Sequence, residues 1–266
     1  MPVAPPVLLD AAPSLNPPRF GLLSAGELVD WNDPHLHNGI EYVPNATGEA
    51  GIASTDCDDH TAAVLDDGLA TVVSGPIPVV AGITLPSFAL DPADAAARAR
   101  ARLAAGEVAA VEKRMWASAA HPLTANPTVL SHSALALADA VGLLEEWFDA
   151  RYGGTPVIHA PRRLGVRARD AHAAERDGAK LITPLGSVWS FGNYPGTAPA
   201  SETGGSVPPL WLVASGQVQI RRSDVVVDGV DLRSSLNRRT NRTRVSARRT
   251  YVVSWDGITA AVPVTT

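Results

Sequence analysis

Two histidines and a glutamate have the residue types and the spacing that could bind a metal ion. His35, His37 and Glu41 lie in the stretch HLHNGIEYVPNATG, which also contains Gly48. Two imidazoles and a carboxylate form a ligand set suited to divalent transition metals. One interpretation is therefore a metal-dependent enzyme that uses these three residues. The other is that both histidines are surface residues of a loop.

The spacing resembles the HxHxxxExxxxxxG part of the cupin motif, with two departures. The glycine that opens that motif would fall at Val29, and a segment resembling the second cupin motif, residues 178–193, has Trp189 in place of its metal-binding histidine. Two predicted helices also separate the segments, whereas cupins keep both motifs on neighbouring strands. We therefore predict no metal, no cofactor and no catalytic residue, and a cupin-like enzyme stays an alternative.

Other reactive side chains favour structural explanations. The run DCDDH, residues 56–60, cannot turn five consecutive side chains toward one ion, and we interpret it as a solvated acidic loop. His159 lies in the apolar stretch TPVIHAP without a GxSxG serine motif, which predicts a hydrogen-bonded core histidine. The chain contains neither GxGxxG after a strand nor GxxxxGK[ST], so a nucleotide site has no support.

The composition indicates a folded chain with a partly covered surface. Its 266 residues are 45% hydrophobic, enough for a core, and 18% charged, below the usual share of about 25%. The single cysteine, Cys57, excludes an intrachain disulfide. The N-terminus lacks a basic region typical of a signal peptide, and no apolar run reaches about 18 residues. We expect synthesis in the cytoplasm and no contact with a membrane.

The charges are segregated along the chain. Residues 20–97 contain twelve acids and no Lys or Arg, whereas residues 233–249 contain seven arginines and no acid, in a chain of net charge -5. The arginines could bind nucleic acid or form a solvated strand face, but aromatic stacking residues are lacking except Tyr251. We favour contact with the acidic segment of another copy. The predicted inter-subunit residues are Glu41, Glu49, Asp56, Asp58, Asp59, Asp66, Asp67, Arg238, Arg239, Arg242, Arg244, Arg248 and Arg249.

Helices and strands are grouped along the chain, which predicts an α+β fold. A helix over residues 91–116 begins with Asp91 as N-cap and Pro92 at its first position. Its predicted buried face consists of Ala97, Ala101, Ala104, Val108, Val111 and Met115. A second helix carries the stripe Leu137, Val141, Leu144 and Phe148, and a third is predicted over residues 161–178. Mostly strands follow, and Arg242, Arg244 and Arg248 share one strand face.

This order of elements resembles the major capsid proteins of tailed bacteriophages, whose fold is shared with encapsulin shells. The similarity covers most of the chain. It includes the Pro-rich start, the acidic loop, the long helix, the segments LLEEWFDARYGGTPVIHAP and DGAKLITPLGSVWSFGNY, the strand pair LWLVASGQVQIRRSDV, and the closing strands RRTYVVSWDGITAAVPV. The resemblance implies an N-terminal arm (residues 1–35), an extended acidic loop with flanking strands (36–85), a peripheral domain with a spine helix (86–130), an axial domain (131–235), and closing strands that return to the peripheral domain (236–266).

The resemblance also implies a structural protein rather than an enzyme. Copies would form pentamers and hexamers of an icosahedral phage capsid that encloses double-stranded DNA, contacted non-specifically at most. The implied partners are a scaffolding protein, a portal and possible decoration proteins, in a virion assembled in the host cytoplasm. An encapsulin-type compartment remains a further alternative.

Overall fold

The computed structural model describes residues 16, 18–45, 71–86, 91–117, 122–202, 209–230 and 236–265. Its helices are α1 (Leu22–Ala25), α2 (Pro92–Ala117), α3 (Leu137–Asp149) and α4 (Leu164–Asp170). Its strands are β1 (Glu27–Asp30), β2 (Ile40–Tyr42), β3 (Val72–Ser74), β4 (Ile77–Pro86), β5 (Thr128–Val129), β6 (Val157–Pro161), β7 (Glu175–Asp177), β8 (Lys180–Ile182), β9 (Val188–Gly192), β10 (Leu210–Ser215), β11 (Val218–Arg222), β12 (Val226–Asp228), β13 (Leu236–Asn237), β14 (Arg242–Trp255) and β15 (Thr259–Val264). The predicted α+β class is confirmed.

A seven-stranded sheet forms one half of the fold, in the order β5-β15-β10-β6-β9-β8-β7. Its central strands β6, β9 and β10 are buried on both faces, and most of their residues are apolar. Ile158 and Ala160 of β6 pack in the core that contains α3 and α4, whereas Val157 faces a second core. The predicted stripe of α3, which is Leu137, Val141, Leu144 and Phe148, is buried in the first core.

A six-stranded sheet forms the other half. It has the order β1-β11-β14-β12, and β4 and β13 also pair with β14. The long strand β14 is antiparallel to β4 from Arg242 opposite Pro86 to Tyr251 opposite Ile77. Helix α2 lies across this pair. The second core joins the two halves, and it contains Met115 and Trp116 of α2 together with Trp211 and Val253.

Helix α2 spans nearly the predicted residues, but its predicted buried face is wrong over the first three turns. The Asp91 side chain accepts a hydrogen bond from the backbone N–H of Ala93 at 2.7 Å, as an N-cap should. Ala97, Ala101 and Ala104 are exposed, and Val108 is half-buried. The buried face instead comprises Ala95, Ala99, Leu103, Glu107, Val111 and Met115, each four residues after the last. Alanine occurs on every side of this helix, so the position of Leu103 decides which side faces the sheet.

The third predicted helix is wrong in its extent. Only residues 164–170 form α4, and the chain then forms β7, which pairs with β8 through a turn at Gly178. Gly178 has a φ of 54°, a conformation that glycine adopts without steric cost. Gly178, which the sequence predicts to end a helix, therefore forms a hairpin turn.

The two closing strands separate. β14 lies beneath α2 in the six-stranded sheet. β15 pairs with β10 in the seven-stranded sheet. Its apolar sequence TAAVPV is buried from residue 260 to residue 264, which suits a strand with α3 on one face and the second core on the other.

The segments that flank the acidic loop pair with each other. β2 and β3 are antiparallel, with Glu41 opposite Val73, and they form a separate two-stranded sheet. The intervening residues 46–70 lie outside the described part of the chain, as do residues 1–15 of the predicted arm. Among the described residues, no helix has the length and apolar character needed to cross a membrane.

Candidate functional site

The arginine segment forms an exposed face of the six-stranded sheet. Along the first half of β14, Thr243, Val245 and Ala247 are buried, and Val245 and Ala247 pack against the core under α2. The alternate residues Arg242, Arg244 and Arg248 point away from that core and are exposed. The predicted shared face of these three arginines is confirmed, because the strand alternates strictly here.

Two arginines of this segment make ion pairs within the chain. Arg249 lies on the inner side and donates to Glu107 of α2 at 3.1 Å, with only 17% and 9% of the two side chains exposed. Arg248 contacts Asp228 of β12 at 3.0 Å, but both side chains are at least half exposed. Arg249 is therefore a structural residue of the subunit, whereas Arg242 and Arg244 make no ion pair within the described part of the chain.

Arg238 and Arg239 lie at the turn between β13 and β14, and both are exposed. The Asn237 side chain orders this turn by accepting the backbone N–H groups of Arg239 and Thr240, at 3.1 and 3.3 Å. Arg238 and Arg239 therefore continue the positive face of Arg242 and Arg244 to the end of the sheet.

The acidic half of the predicted contact is described only at its start. Glu41 is exposed in β2. Glu49, Asp56, Asp58, Asp59, Asp66 and Asp67 lie outside the described residues. The loop begins from a firm anchor, because the Tyr42 hydroxyl donates to the Trp255 carbonyl at 2.7 Å and Asn45 donates twice to Asp256, at 2.7 and 2.8 Å. The described residues do not bring Glu41 and the arginines together.

The histidines of the metal alternative do not converge with Glu41. The His35 Nδ1 contacts Asp33 at 2.7 Å, and the His37 Nδ1 contacts the Thr250 hydroxyl at 2.8 Å. Trp189, at the second motif's histidine position, is buried and donates to the Ala173 carbonyl. Within the described ranges, no group of three or more His, Cys, Asp or Glu side chains could hold a metal ion.

His159 is the hydrogen-bonded core histidine that the sequence predicts. It is completely buried, and its ring nitrogens contact the Tyr194 hydroxyl at 3.1 Å and the Ser215 hydroxyl at 3.0 Å. Burial lowers the pKa of His159 to about 3, because the apolar surroundings disfavour the charged imidazolium. The ring is therefore neutral at physiological pH.

Sequence reasoning missed Glu112, which connects three parts of the chain. This buried carboxylate on α2 accepts the backbone N–H of Leu22 at 3.0 Å and that of Asn193 at 2.6 Å. Gly21 and Gly192 leave room for it, since a Cβ at either would lie 2.5 Å from the Glu112 side chain. Burial raises the pKa of Glu112, although both hydrogen bonds oppose the shift. Nothing in the sequence around Gly21 or Gly192 indicates that either glycine contacts Glu112, because that contact depends on the fold.

Comparisons with known proteins give similar structures but no similar sequence. No protein-family model matches the chain, and no curated protein matches it. The capsid of a native GTA particle matches with a TM-score of 0.56 at 9% identity, covering 99% of this chain and 96% of that chain. The capsid of Ralstonia phage GP4 matches with a TM-score of 0.52 at 8% identity, covering 98% and 95%. A chain of Mycobacterium phage Cain matches with a TM-score of 0.50 at 14% identity, covering 97% and 95%.

This chain has the phage capsid fold. The similar structures span nearly the whole of both chains, so the fold is not a local coincidence of one domain. The resemblance that the sequence suggested is thereby confirmed at the level of the fold. The cupin-like alternative has no support in these comparisons or in the placement of His35, His37 and Glu41.

Proposed function

We propose that this protein is the structural subunit of a phage capsid. The observation that carries the proposal is the match to capsid chains over nearly the full length of both partners. The subunits would assemble as pentamers and hexamers into an icosahedral shell around double-stranded DNA. A scaffolding protein, a portal and possible decoration proteins would take part, with assembly in the host cytoplasm. The division into arm, acidic loop, peripheral domain and axial domain belongs to this proposal.

The arginine face and the acidic loop would join neighbouring copies. Arg242 and Arg244 are exposed on a sheet face that no described residue covers. The last described residues before the loop, Tyr42 and Asn45, contact Trp255 and Asp256 at the opposite end of β14. Arg244 lies eleven residues before Trp255, which is roughly 36 Å along a strand. The segregation of acids and arginines along the chain supports the contact, in which the loop of one copy meets the arginine face of a neighbouring copy.

Reversal of the charges on Arg242 and Arg244 tests this contact. Each exposed ion pair contributes about 0.2–1 kcal/mol, but a shell repeats the contact at every subunit. We expect Arg242→Glu with Arg244→Glu to reduce particle yield while the subunit stays folded, as seen by negative-stain electron microscopy and circular dichroism. The control is Arg98→Glu with Arg102→Glu on the exposed side of α2, which changes the net charge equally. Normal particles from the β14 variant would contradict the proposed contact.

The broader proposal has a direct test in the wild-type protein. Purified protein, alone and with co-expressed neighbours from its own genome, should form hollow shells, rings or sheets visible in the electron microscope. A small oligomer carrying stoichiometric metal would contradict it and support an enzyme.

A further inference from the structure

Two cavities of opposite charge lie at opposite ends of the central strand pair β6 and β9. These strands run parallel, with Val157 opposite Val188 and Pro161 opposite Gly192. One cavity adjoins the residues that precede the strands, Pro156 and Ser187, and the other adjoins the residues at their far end, Phe191 and Arg162. Five residues of strand, about 16 Å, separate the two ends.

The first cavity is acidic. It measures about 660 Å³ and lies between the end of α3 and the turn before β9. Its lining contains Glu145, Glu146 and Asp149 and no Lys or Arg. Glu145 accepts hydrogen bonds from Ser187 and Thr183 and is therefore satisfied within the subunit. Glu146 and Asp149 are exposed, and they make no ion pair with any described residue.

The second cavity is basic at its rim and apolar at its floor. It measures about 860 Å³, within the range of about 300–1,000 Å³ typical of pockets that enclose a small ligand. Its floor includes Phe20, Leu181 and Phe191. The charged residues of the rim are Arg19, Arg162, Arg169, Arg176, Asp170 and Glu175, an excess of two positive charges. Such a cavity suits an apolar group carried on an acidic surface.

The acidic end carries such a group. The turn from Thr183 to Gly186 is closed by a hydrogen bond from the Gly186 N–H to the Thr183 carbonyl at 3.0 Å. Pro184 lies at its second position, as in type I turns. The next residue, Leu185, is 81% exposed and lines the acidic cavity. Leu185 is thus free to contact a partner, and its transfer into an apolar cavity would be favourable.

We propose that the acidic end of one subunit docks into the basic end of the next copy. Leu185 enters the neighbour's cavity over Phe20 and Phe191, and Glu146 and Asp149 face the arginines of its rim. The two surfaces differ, so the contact is head-to-tail, and such contacts close into rings when the rotation allows. The inference rests on the proposed function, because it assigns a contact within the rings of that shell.

Complementary charge reversals test the contact. The first variant, Glu146→Arg with Asp149→Arg, has two basic ends. The second, Arg169→Glu with Arg176→Glu, has two acidic ends. Each variant alone should yield less than a tenth of the wild-type particles. An equimolar mixture should recover rings of six in which the two variants alternate, measured by electron microscopy and native mass spectrometry. A ring of five cannot alternate, so the mixture is not expected to form complete shells. Leu185→Ser should raise the protein concentration required for assembly at least tenfold.

A charge-reversed control and a milder variant keep the outcomes distinct. Asp224→Arg changes an exposed acid away from both ends and should assemble normally. If a reversal variant fails to fold by circular dichroism, Glu146→Gln with Asp149→Asn replaces it and should still weaken assembly. Reversal variants that assemble like the wild type, or a folded mixture that forms no rings of six, would overturn the contact alone. Wild-type protein that forms no rings, sheets or shells even when co-expressed with its genomic neighbours would overturn the proposed function as well.

Discussion

Enlarging Ala99 and enlarging Ala101 should have different effects, although both lie in the same alanine-rich stretch of α2. Ala99 is completely buried against the core that includes Val245 and Ala247 of β14. Ala101 is exposed. A leucine at position 99 would add three carbon atoms to a space bounded by sheet residues. Overpacking of this kind costs about 1–3 kcal/mol, whereas exposed substitutions stay within about 0.5 kcal/mol.

The comparison isolates packing because the two variants share the same change of residue. Leucine and alanine are both good helix formers, so the helix propensity change is small and equal in both. We expect urea denaturation of the unassembled subunit to show a lower free energy of unfolding for Ala99→Leu than for the wild type. The free energy of unfolding of Ala101→Leu should be almost the same as that of the wild type. Equal losses, or a larger loss for Ala101→Leu, would refute the assignment of the buried face. A folded Ala101→Leu subunit that assembles poorly would show that the exposed face of α2 contacts another copy.

Three further perturbations follow from buried ionisable groups. Glu107→Gln leaves Arg249 without its carboxylate, so the free energy of unfolding should decrease by an amount near the lower end of about 3–5 kcal/mol. Asp228→Asn breaks an exposed pair and should decrease it by at most about 1 kcal/mol. Equal decreases in denaturation experiments would contradict this. The His159 pKa of about 3 lies below that of the unfolded chain, about 6.5, so acidification from pH 7 to pH 5 should cost about 2 kcal/mol through this residue. His159→Gln should lose that part of the pH dependence, and an unchanged slope would count against a neutral buried ring. The raised pKa of Glu112 has the opposite sign, because its folded form holds the proton more strongly. Wild type should therefore gain stability relative to Glu112→Gln as pH falls from 7 to 5, and a relative loss would show that this carboxyl is not destabilised by burial.

Much of the secondary structure could be predicted because its signals are local. Asp91 and Pro92 mark the start of α2, and the stripe of Leu137, Val141, Leu144 and Phe148 marks the buried side of α3. Arg242 and Arg244 alternate with the uncharged residues Thr243 and Val245, which identifies an exposed strand face. Each of these patterns depends on residues within a few positions of one another.

Other features depended on residues far apart in the sequence. Glu107 and Arg249 are 142 positions apart, and Glu112 bonds to Leu22 and Asn193, which are 90 and 81 positions away. No local pattern distinguishes such acids from solvated ones. The sequence likewise predicts a longer helix than α4, because the boundary between α4 and β7 depends on pairing with β8.

The sequence by itself determined the α+β class, the long helix, the buried strand at His159, the arginine face and the resemblance to a capsid subunit. Only the tertiary structure decided which side of α2 is buried, which sheet receives β15, and where the opposite charges of the subunit surface lie. The physical reason is that helix and strand periodicity is set by neighbouring residues, whereas burial, pairing and surface charge depend on what the fold places opposite them. An alanine fits both a buried and an exposed helix face, so the partner surface makes the choice.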